Sequence, residues 1–326
     1  MNEKKQVCAS LRKDFNKVGW ALLIYYGIMN GAIILASIIL SALAAIWIAA
    51  NPHLSPMQVN WIYEKIVEDT AWGYTLAVIA GAIGLLAWKK SWFCFHGIWK
   101  KERPMSVGSF FGILAVFISG QALYQLLTPL IDWLFTQMGI SLADSIASAS
   151  GATDSLSMFI YVCLLAPIWE EILFRGYVMR TLEPYGKKFA ILASAFLFGV
   201  YHGNPVQSPY AFAVGLVLGY VAMEHNMVWA MVLHMINNLL LGDTLGRLIQ
   251  GLPAVAQEVI FMVAIWGCAL AAVILLICKR KEVASYFRRG KMHPLCLKSF
   301  FTSPGILTLT GVIFGFMTLG LLLTML

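Results

Sequence analysis

Residues 169–176, Trp-Glu-Glu-Ile-Leu-Phe-Arg-Gly, decide how this chain is interpreted. They close an apolar run, residues 156–174, that predicts a membrane-spanning helix. An Asp, Lys or Arg at the centre of such a helix costs about 2.5–3.5 kcal/mol on translocon scales, so ionisable residues there indicate a functional site. Glu171 and Arg175 are four residues apart and share a helix face, whereas Glu170 is turned about 100° away. We therefore expect Arg175 to neutralise Glu171 and to leave Glu170 free for chemistry.

The composition predicts a polytopic membrane protein. Hydrophobic residues make up 60% of the 326 residues, charged residues make up 12%, and the mean hydropathy is +0.77. Soluble domains carry about 25% charged residues. The formal net charge of +7 does not indicate nucleic acid, because the basic residues lie in loops between apolar runs. The expected fold class is an all-α bundle of transmembrane helices in a lipid bilayer.

Nine segments have the apolar composition of a membrane span. A span needs about 20 residues unless it is short or kinked. The fifth, sixth and seventh segments are short, and we expect them to be buried inside the bundle. The nine segments are residues 20–50, 71–88, 107–135, 156–182, 189–202, 210–223, 227–241, 255–278 and 305–326.

These segments divide the chain into four parts. Residues 1–19 form a basic cytoplasmic N-terminal segment, and residues 20–155 hold the N-terminal transmembrane helices. Residues 156–241 form a catalytic transmembrane core, and residues 242–326 hold the C-terminal helices with a basic cytoplasmic loop. The first apolar run is far longer than the roughly 7–15 residues of a signal peptide, so we expect a retained span.

The basic residues predict the orientation. Cytoplasmic loops carry an excess of Lys and Arg. With a cytoplasmic N-terminus, only Lys65 and Arg247 fall on the outer side, and nine spans place the C-terminus there as well. The basic residues that fall inside are Lys4, Lys5, Arg12, Lys13, Lys17, Lys89, Lys90, Lys100, Lys101, Arg103, Arg180, Lys187, Lys188, Lys279, Arg280, Lys281, Arg288, Arg289, Lys291 and Lys298.

Two polar residues of neighbouring spans are predicted to lie at the same depth. Glu170 precedes Glu183, in the turn between the fourth and fifth spans, by 13 positions, and His202 follows Lys188 by 14. At about 1.5 Å per residue, both lie roughly 20 Å from that turn. Two antiparallel helices therefore bring Glu170 and His202 to one level.

The seventh span adds His234 and Asn238, which share one helix face. Asn238 lies 12 positions beyond Asn226, in the next turn, at a similar depth. His234 lies one turn of the helix closer to Asn226. The sequence therefore predicts that Glu170, His202, His234 and Asn238 converge in one pocket within the bilayer.

Such a pocket permits hydrolysis. A carboxylate held near a histidine can activate water as a general base. A histidine and an amide can donate to an oxyanion, a contribution of about 2.7–4 kcal/mol per donor in a known case. Glu170, His202 and His234 could instead bind a divalent metal such as zinc. The residues alone leave both chemistries open. Each residue taken singly is more often a helix–helix contact, and their common depth favours a functional set.

Three motifs resemble the CPBP family of intramembrane proteases, also called the Abi or type II CAAX prenyl endopeptidase family. The resemblance covers roughly residues 156–241, and the first three and last two spans are not diagnostic. It implies that Glu171 and Arg175 support the site. The motifs are Glu170-Glu171-x-x-x-Arg175, Phe198-x-x-x-His202 and His234-x-x-x-Asn238.

The resemblance also implies catalytic roles. Glu170 and His202 would activate the water, and His234 and Asn238 would stabilise the oxyanion. The family has been described both as glutamic proteases and as metalloproteases. Our depth argument favours Glu170 as the base, with no cofactor required. If a metal is present, its ligands would be Glu170, His202 and His234.

We expect an endopeptidase in a bacterial cell membrane, acting on a membrane-associated peptide or protein with or without a lipid group. A non-catalytic scaffold or bacteriocin-immunity partner is the alternative. An ion-coupled transporter is less favoured, because the chain lacks the internal symmetry that is typical of transporters.

Overall fold

The computed structural model describes residues 2–68, 71–89, 102–149, 155–240, 245–289 and 294–325. Within these ranges the regular structure is helical throughout, without a strand, which confirms the predicted all-α bundle. The basic residues Lys90, Lys100 and Lys101 and the predicted core boundary at residue 241 lie outside the described residues.

Fourteen helices are described. Residues 156–185 are treated as one helix, α6, because its α, π and 3₁₀ turns follow one another without a break. The helices are α1 (Asn2–Ala49), α2 (Pro56–Glu68), α3 (Ala71–Lys89), α4 (Val107–Thr136), α5 (Ala143–Ala149), α6 (Leu156–Tyr185), α7 (Lys187–Tyr201), α8 (Gln207–Glu224), α9 (Met227–Asn237), α10 (Leu245–Ile249), α11 (Ala254–Cys278), α12 (Arg280–Arg288), α13 (Pro294–Phe301) and α14 (Pro304–Leu323).

The chain is an integral membrane protein. Six helical segments in the described part of the chain are long and apolar enough to cross a bilayer, and a shorter apolar helix covers Gly73–Ala87. Large apolar side chains on these helices are exposed, such as Ile38 at 61% and Val263 at 67%, as expected for contact with lipid. The described part of each of the nine predicted segments contains a helix. The count of nine crossings stays a prediction, because α7 and α8 are not among the six.

Helices α7 and α8 form the centre of the bundle, as expected for the short segments. Ten of the 15 residues of α7 are buried. The two helices approach closely, since a Cβ atom at Gly199 would lie 2.8 Å from the carbonyl oxygen of Ser208. Small residues allow such contacts between helices in membranes, where packing rather than water exclusion drives association.

The N-terminal segment is part of the bundle. Residues 2–19 continue into the first span as one helix, and the Phe15 side chain is fully buried. The Tyr185 hydroxyl at the end of α6 donates to Asp14 (2.6 Å), and the Gly305 amide at the start of α14 donates to Asn16 (2.8 Å). Helix α1 therefore connects the polar central helix α6 to the C-terminal helix α14.

Candidate active site

Helix α6 carries the paired glutamates and contains two π-helical segments. Ser155 caps the helix, because its hydroxyl accepts from the Met158 amide (3.2 Å). The π segments are Tyr161–Leu165 and Ile172–Met179, so one lies before the glutamates and one after them. Pro167 follows the first segment, and a proline inside a helix lacks an N–H group and displaces the preceding turn. π-helical segments inside α-helices occur frequently at functional sites.

Glu171 and Arg175 form a fully buried ion pair. Arg175 Nη1 donates to Glu171 Oε1 (2.9 Å), and both side chains have 0% exposure. Arg175 Nη2 also donates to the Gly215 carbonyl of α8 (3.2 Å), and the guanidinium carbon lies 4.4 Å from the centre of the Phe198 ring. The arginine thus links α6, α7 and α8 through a salt bridge, a hydrogen bond and a cation–π contact.

His234 contacts both glutamates. Its Nδ1 lies 3.0 Å from Glu171 Oε1, and its Nε2 lies 3.7 Å from Glu170 Oε2. An ionised carboxylate only accepts hydrogen bonds, so Nδ1 carries the hydrogen in the first contact. Glu171 thereby fixes the ring of His234 with Nε2 directed at Glu170.

Glu170 is the accessible member of the glutamate pair. One third of its side chain is exposed, whereas Glu171 is fully buried. Among the contacts of the described residues, its ion-pair partner is His234. No hydrogen bond joins it directly to His202, so a cooperating pair would act through an intervening water.

His202 lies at the end of α7, immediately before Gly203. Gly203 has a φ angle of +57°, which ends the helix and places the histidine at its last turn. Nδ1 of His202 lies 2.7 Å from the Phe198 carbonyl, which can only accept, so the hydrogen is on Nδ1. In the neutral ring, Nε2 then carries the lone pair. The Phe198 ring lies 4.7 Å from the His202 ring and 5.9 Å from the His234 ring, so both histidines pack against it.

Asn238 compensates for the proline in α6. In the π segment the Ala166 amide bonds to the Tyr161 carbonyl, five residues back. The same register would pair the Val162 carbonyl with the nitrogen of Pro167, which has no hydrogen. Asn238 Nδ2 donates to that carbonyl instead (2.9 Å). One amide hydrogen of Asn238 is therefore structural, and only the second is left to face a substrate.

A polar network behind Asn238 was missed from the sequence. Gln121 of α4 donates to the Tyr210 hydroxyl (2.7 Å) and to Asn237 Oδ1 (3.2 Å). Tyr210 also donates to Asn237 Oδ1 (2.9 Å), and Asn237 Nδ2 donates to Asn238 Oδ1 (3.1 Å). The signal in the sequence was the presence of two glutamines, Gln121 and Gln125, within the apolar run of α4. The network fixes which way the Asn238 amide points.

Aromatic residues flank the glutamates on the side of α1. Trp169 Nε1 donates to the Tyr25 hydroxyl (2.6 Å), and the two rings stack at 6.3 Å. The Tyr25 ring lies 6.1 Å from the Tyr201 ring, which in turn meets Phe174 edge-on at 5.5 Å. The three motifs did not predict this group of aromatic rings, because Tyr25 lies 144 residues before Trp169. It places apolar surface beside Glu170.

The predicted metal ligands do not form a ready-made metal site. Within the described residues, no three His, Cys, Asp or Glu side chains are grouped so as to hold a metal ion. Glu170 and His234 are neighbours, while His202 is directed by its bond to the Phe198 carbonyl. The expectation that no cofactor is required stays a prediction, as does the alternative of a divalent metal held by Glu170, His202 and His234.

The family described as Type II CAAX prenyl endopeptidase Rce1-like matches residues 152–240. This range includes all six predicted site residues and the helices α6 to α9, and it confirms the resemblance drawn from the three motifs. No curated protein and no solved structure matches the chain.

Proposed function

We propose that this chain, which belongs to the CPBP family through its Rce1-like type II CAAX prenyl endopeptidase segment at residues 152–240, is an intramembrane protease of the glutamic type. A protease follows from the family. The finer assignment is our proposal: Glu170 is the general base, and the substrate is a membrane-associated peptide or protein with or without a lipid group.

One observation carries this assignment. The two adjacent glutamates have different environments, because Glu171 is buried against Arg175 while Glu170 remains one third exposed and faces His234. Two carboxylates with different surroundings can take different roles, one structural and one chemical. This arrangement supports Glu170 as the reacting carboxylate.

In the proposed reaction, a water held between Glu170 and His202 attacks the peptide carbonyl carbon. The water gives one proton to Glu170 as the new C–O bond forms and the carbonyl oxygen becomes an oxyanion. Glu170 then passes that proton to the amide nitrogen, the C–N bond breaks, and a carboxylic acid and an amine leave.

His234 stabilises the oxyanion in this proposal. When its Nε2 is protonated it can donate to the developing negative charge, and Glu171 at Nδ1 stabilises the positive ring. Asn238 supplies its second amide hydrogen, held in place by the Val162 carbonyl and by Asn237.

The proposal is tested by cleavage of a membrane peptide by the purified protein. We expect Glu170→Gln to lower kcat by about 10²–10⁴-fold, because glutamine keeps the shape but takes no proton from water. Glu258→Gln, at an exposed glutamate of α11, is the matched control and retains full activity. A chelator has no effect if the base mechanism holds, whereas a metalloprotease loses activity. A scaffold or immunity partner would show the same biological activity with either variant.

A further inference from the structure

His202 borders a cavity in addition to packing against Phe198. This cavity has a volume of about 520 Å³ and lies beyond the end of α7. Small-molecule and cofactor sites typically have volumes between about 300 and 1,000 Å³. Eleven of its 16 lining residues lie outside the segment that matches the family, and eight of these belong to α5 and α14. The cavity lining residues are Tyr26, Ser141, Asp144, Ser145, Ser148, Tyr201, His202, Gly203, Asn204, Pro205, Ile313, Phe316, Met317, Gly320, Leu321 and Thr324.

Hydrogen bonds of Asn204 fix the position of the cavity wall relative to His202. Asn204, two residues after the histidine, donates to the Ser145 carbonyl (2.8 Å) and to the Ser148 hydroxyl (3.2 Å) of α5. Its side-chain oxygen accepts from the amides of Val206 (2.9 Å) and Gln207 (3.0 Å) at the start of α8. One side chain thus connects α5, the loop after His202 and α8.

The two walls differ in chemistry. The side formed by α14 presents apolar residues such as Ile313, Phe316 and Met317. The side formed by α5 presents serine hydroxyls and the carboxylate of Asp144, and no lysine or arginine is among the described lining residues. An isoprenoid or acyl chain alone would make no polar contact with the wall formed by α5, whereas a cationic side chain can pair with the Asp144 carboxylate.

We propose that this cavity binds the substrate residues on one side of the scissile bond, and that it selects peptides with an apolar side chain beside a lysine or arginine. The apolar side chain packs on α14, and the cationic one lies near Asp144. This inference rests on the proposed function, because it assigns the cavity to the same protease site through His202.

Gly320 offers a direct way to fill the cavity. A Cβ atom at Gly320 would meet nothing within 4 Å, so a larger side chain can enter the open space without displacing backbone. Gly315 of the same helix is equally open but does not line the cavity. Gly320→Phe and Gly315→Phe therefore form a matched pair that differs in whether the cavity is filled.

The test uses purified protein in detergent micelles and a positional library of quenched fluorescent octapeptides, with the cleaved bond identified by mass spectrometry. We expect Glu170-dependent cleavage with a preference for Lys or Arg near the bond. Gly320→Phe raises KM by roughly tenfold or more, in line with the effect of a few misplaced methylenes in a pocket, while Gly315→Phe behaves as wild type. Thermal unfolding of both variants shows whether each is folded.

The contribution of the Asp144 carboxylate is tested separately. Asp144→Asn reduces the preference for Lys over its neutral analogue norleucine by about three- to fivefold, as expected for a partly solvated charge pair. Asp144→Lys is expected to change the preferred charged residue near the cleaved bond from lysine to glutamate. Glu258→Gln is the control for loss of an acidic group elsewhere and leaves the preference unchanged.

Each outcome decides between the proposals. Equal kinetics of Gly320→Phe and Gly315→Phe, with cleavage still dependent on Glu170, overturn the cavity inference and leave the proposed function standing. If Gly320→Phe affects only prenylated or acylated peptides, the cavity binds the lipid chain and our peptide assignment is wrong. If wild type and Glu170→Gln are equally inactive on every peptide, the proposed function fails and the inference falls with it.

Discussion

Arg175 is the residue on which the buried part of the site depends. Its guanidinium contacts Glu171, the Gly215 carbonyl and the Phe198 ring at the same time. Within the described residues, Glu171 Oε2 and Arg175 Nε are buried without a hydrogen-bond partner, so the pair is incompletely satisfied. Such a pair contributes little net stability compared with an apolar replacement, but the loss of one partner leaves an uncompensated charge.

Replacing Arg175 is therefore expected to destabilise the protein strongly. We expect Arg175→Ala to lower the free energy of unfolding by about 3–5 kcal/mol, because Glu171 then remains buried and unpaired. Arg175→Lys lowers the free energy of unfolding by less. Lysine keeps the positive charge, but it lacks the planar guanidinium that contacts both Glu171 and Gly215. Denaturant unfolding in micelles measures both. Equal stability of wild type and Arg175→Ala would show that the salt bridge does not form.

Part of this residue-level arrangement could be predicted from spacing. The four-residue interval predicted that Glu171 and Arg175 share a face, and the structure has them paired. The bond between Asn238 and the Val162 carbonyl could not be predicted, because it depends on a π turn that changes which carbonyl lacks a donor. The contact between His234 and Glu171 was also missed, since depth alone does not fix rotation about a helix axis.

At the scale of elements, the position of His202 depends on where α7 ends. The helix ends because Gly203 adopts a left-handed conformation, and a residue with a Cβ atom is strained there. Asn204, two residues after His202, lines the cavity beyond α7 and donates to the Ser145 carbonyl. Helix α6 continues to Tyr185 and α7 begins at Lys187, so Pro184 does not shorten α6, and the common depth of Glu170 and His202 stays a prediction.

Gly203→Ala is expected to move His202. The left-handed conformation costs a residue with a Cβ about 1–2 kcal/mol, so we expect that loss of stability together with a lower kcat. Gly267→Ala in α11 is the control, because its Cβ meets nothing within 4 Å and alanine favours a helix. Unfolding and peptide cleavage are measured for both. An alanine at 203 with wild-type stability and turnover would show that the helix end does not position His202.

At the scale of the whole molecule, the first and last helices enclose the predicted catalytic segment. Helix α1 contacts α14 through Asn16 and reaches the end of α6 through Asp14. The sequence predicted spans at both ends but not that they pack together, because no motif connects residues almost 290 positions apart. The network from Gln121 to Asn237 escaped prediction for the same reason.

The number of crossings is expected to place the two termini on opposite sides. Nine spans and the distribution of basic residues both give a cytoplasmic N-terminus and an external C-terminus. If only the six long spans crossed, both termini would lie on the same side. Topology reporters fused before residue 2 and after residue 326 distinguish these arrangements. Termini on one side would mean that α3, α7 or α8 had been counted wrongly.

The most direct measurement of the central claim is a double-mutant kinetic cycle on Glu170 and His202. If the two residues activate one water, Glu170→Gln and His202→Ala each lower kcat by about 10²–10⁴-fold. The double variant then loses no more than the worse single variant, because residues that act as a unit are not additive. Losses that multiply in the double variant, or near wild-type turnover of purified Glu170→Gln, would contradict this account.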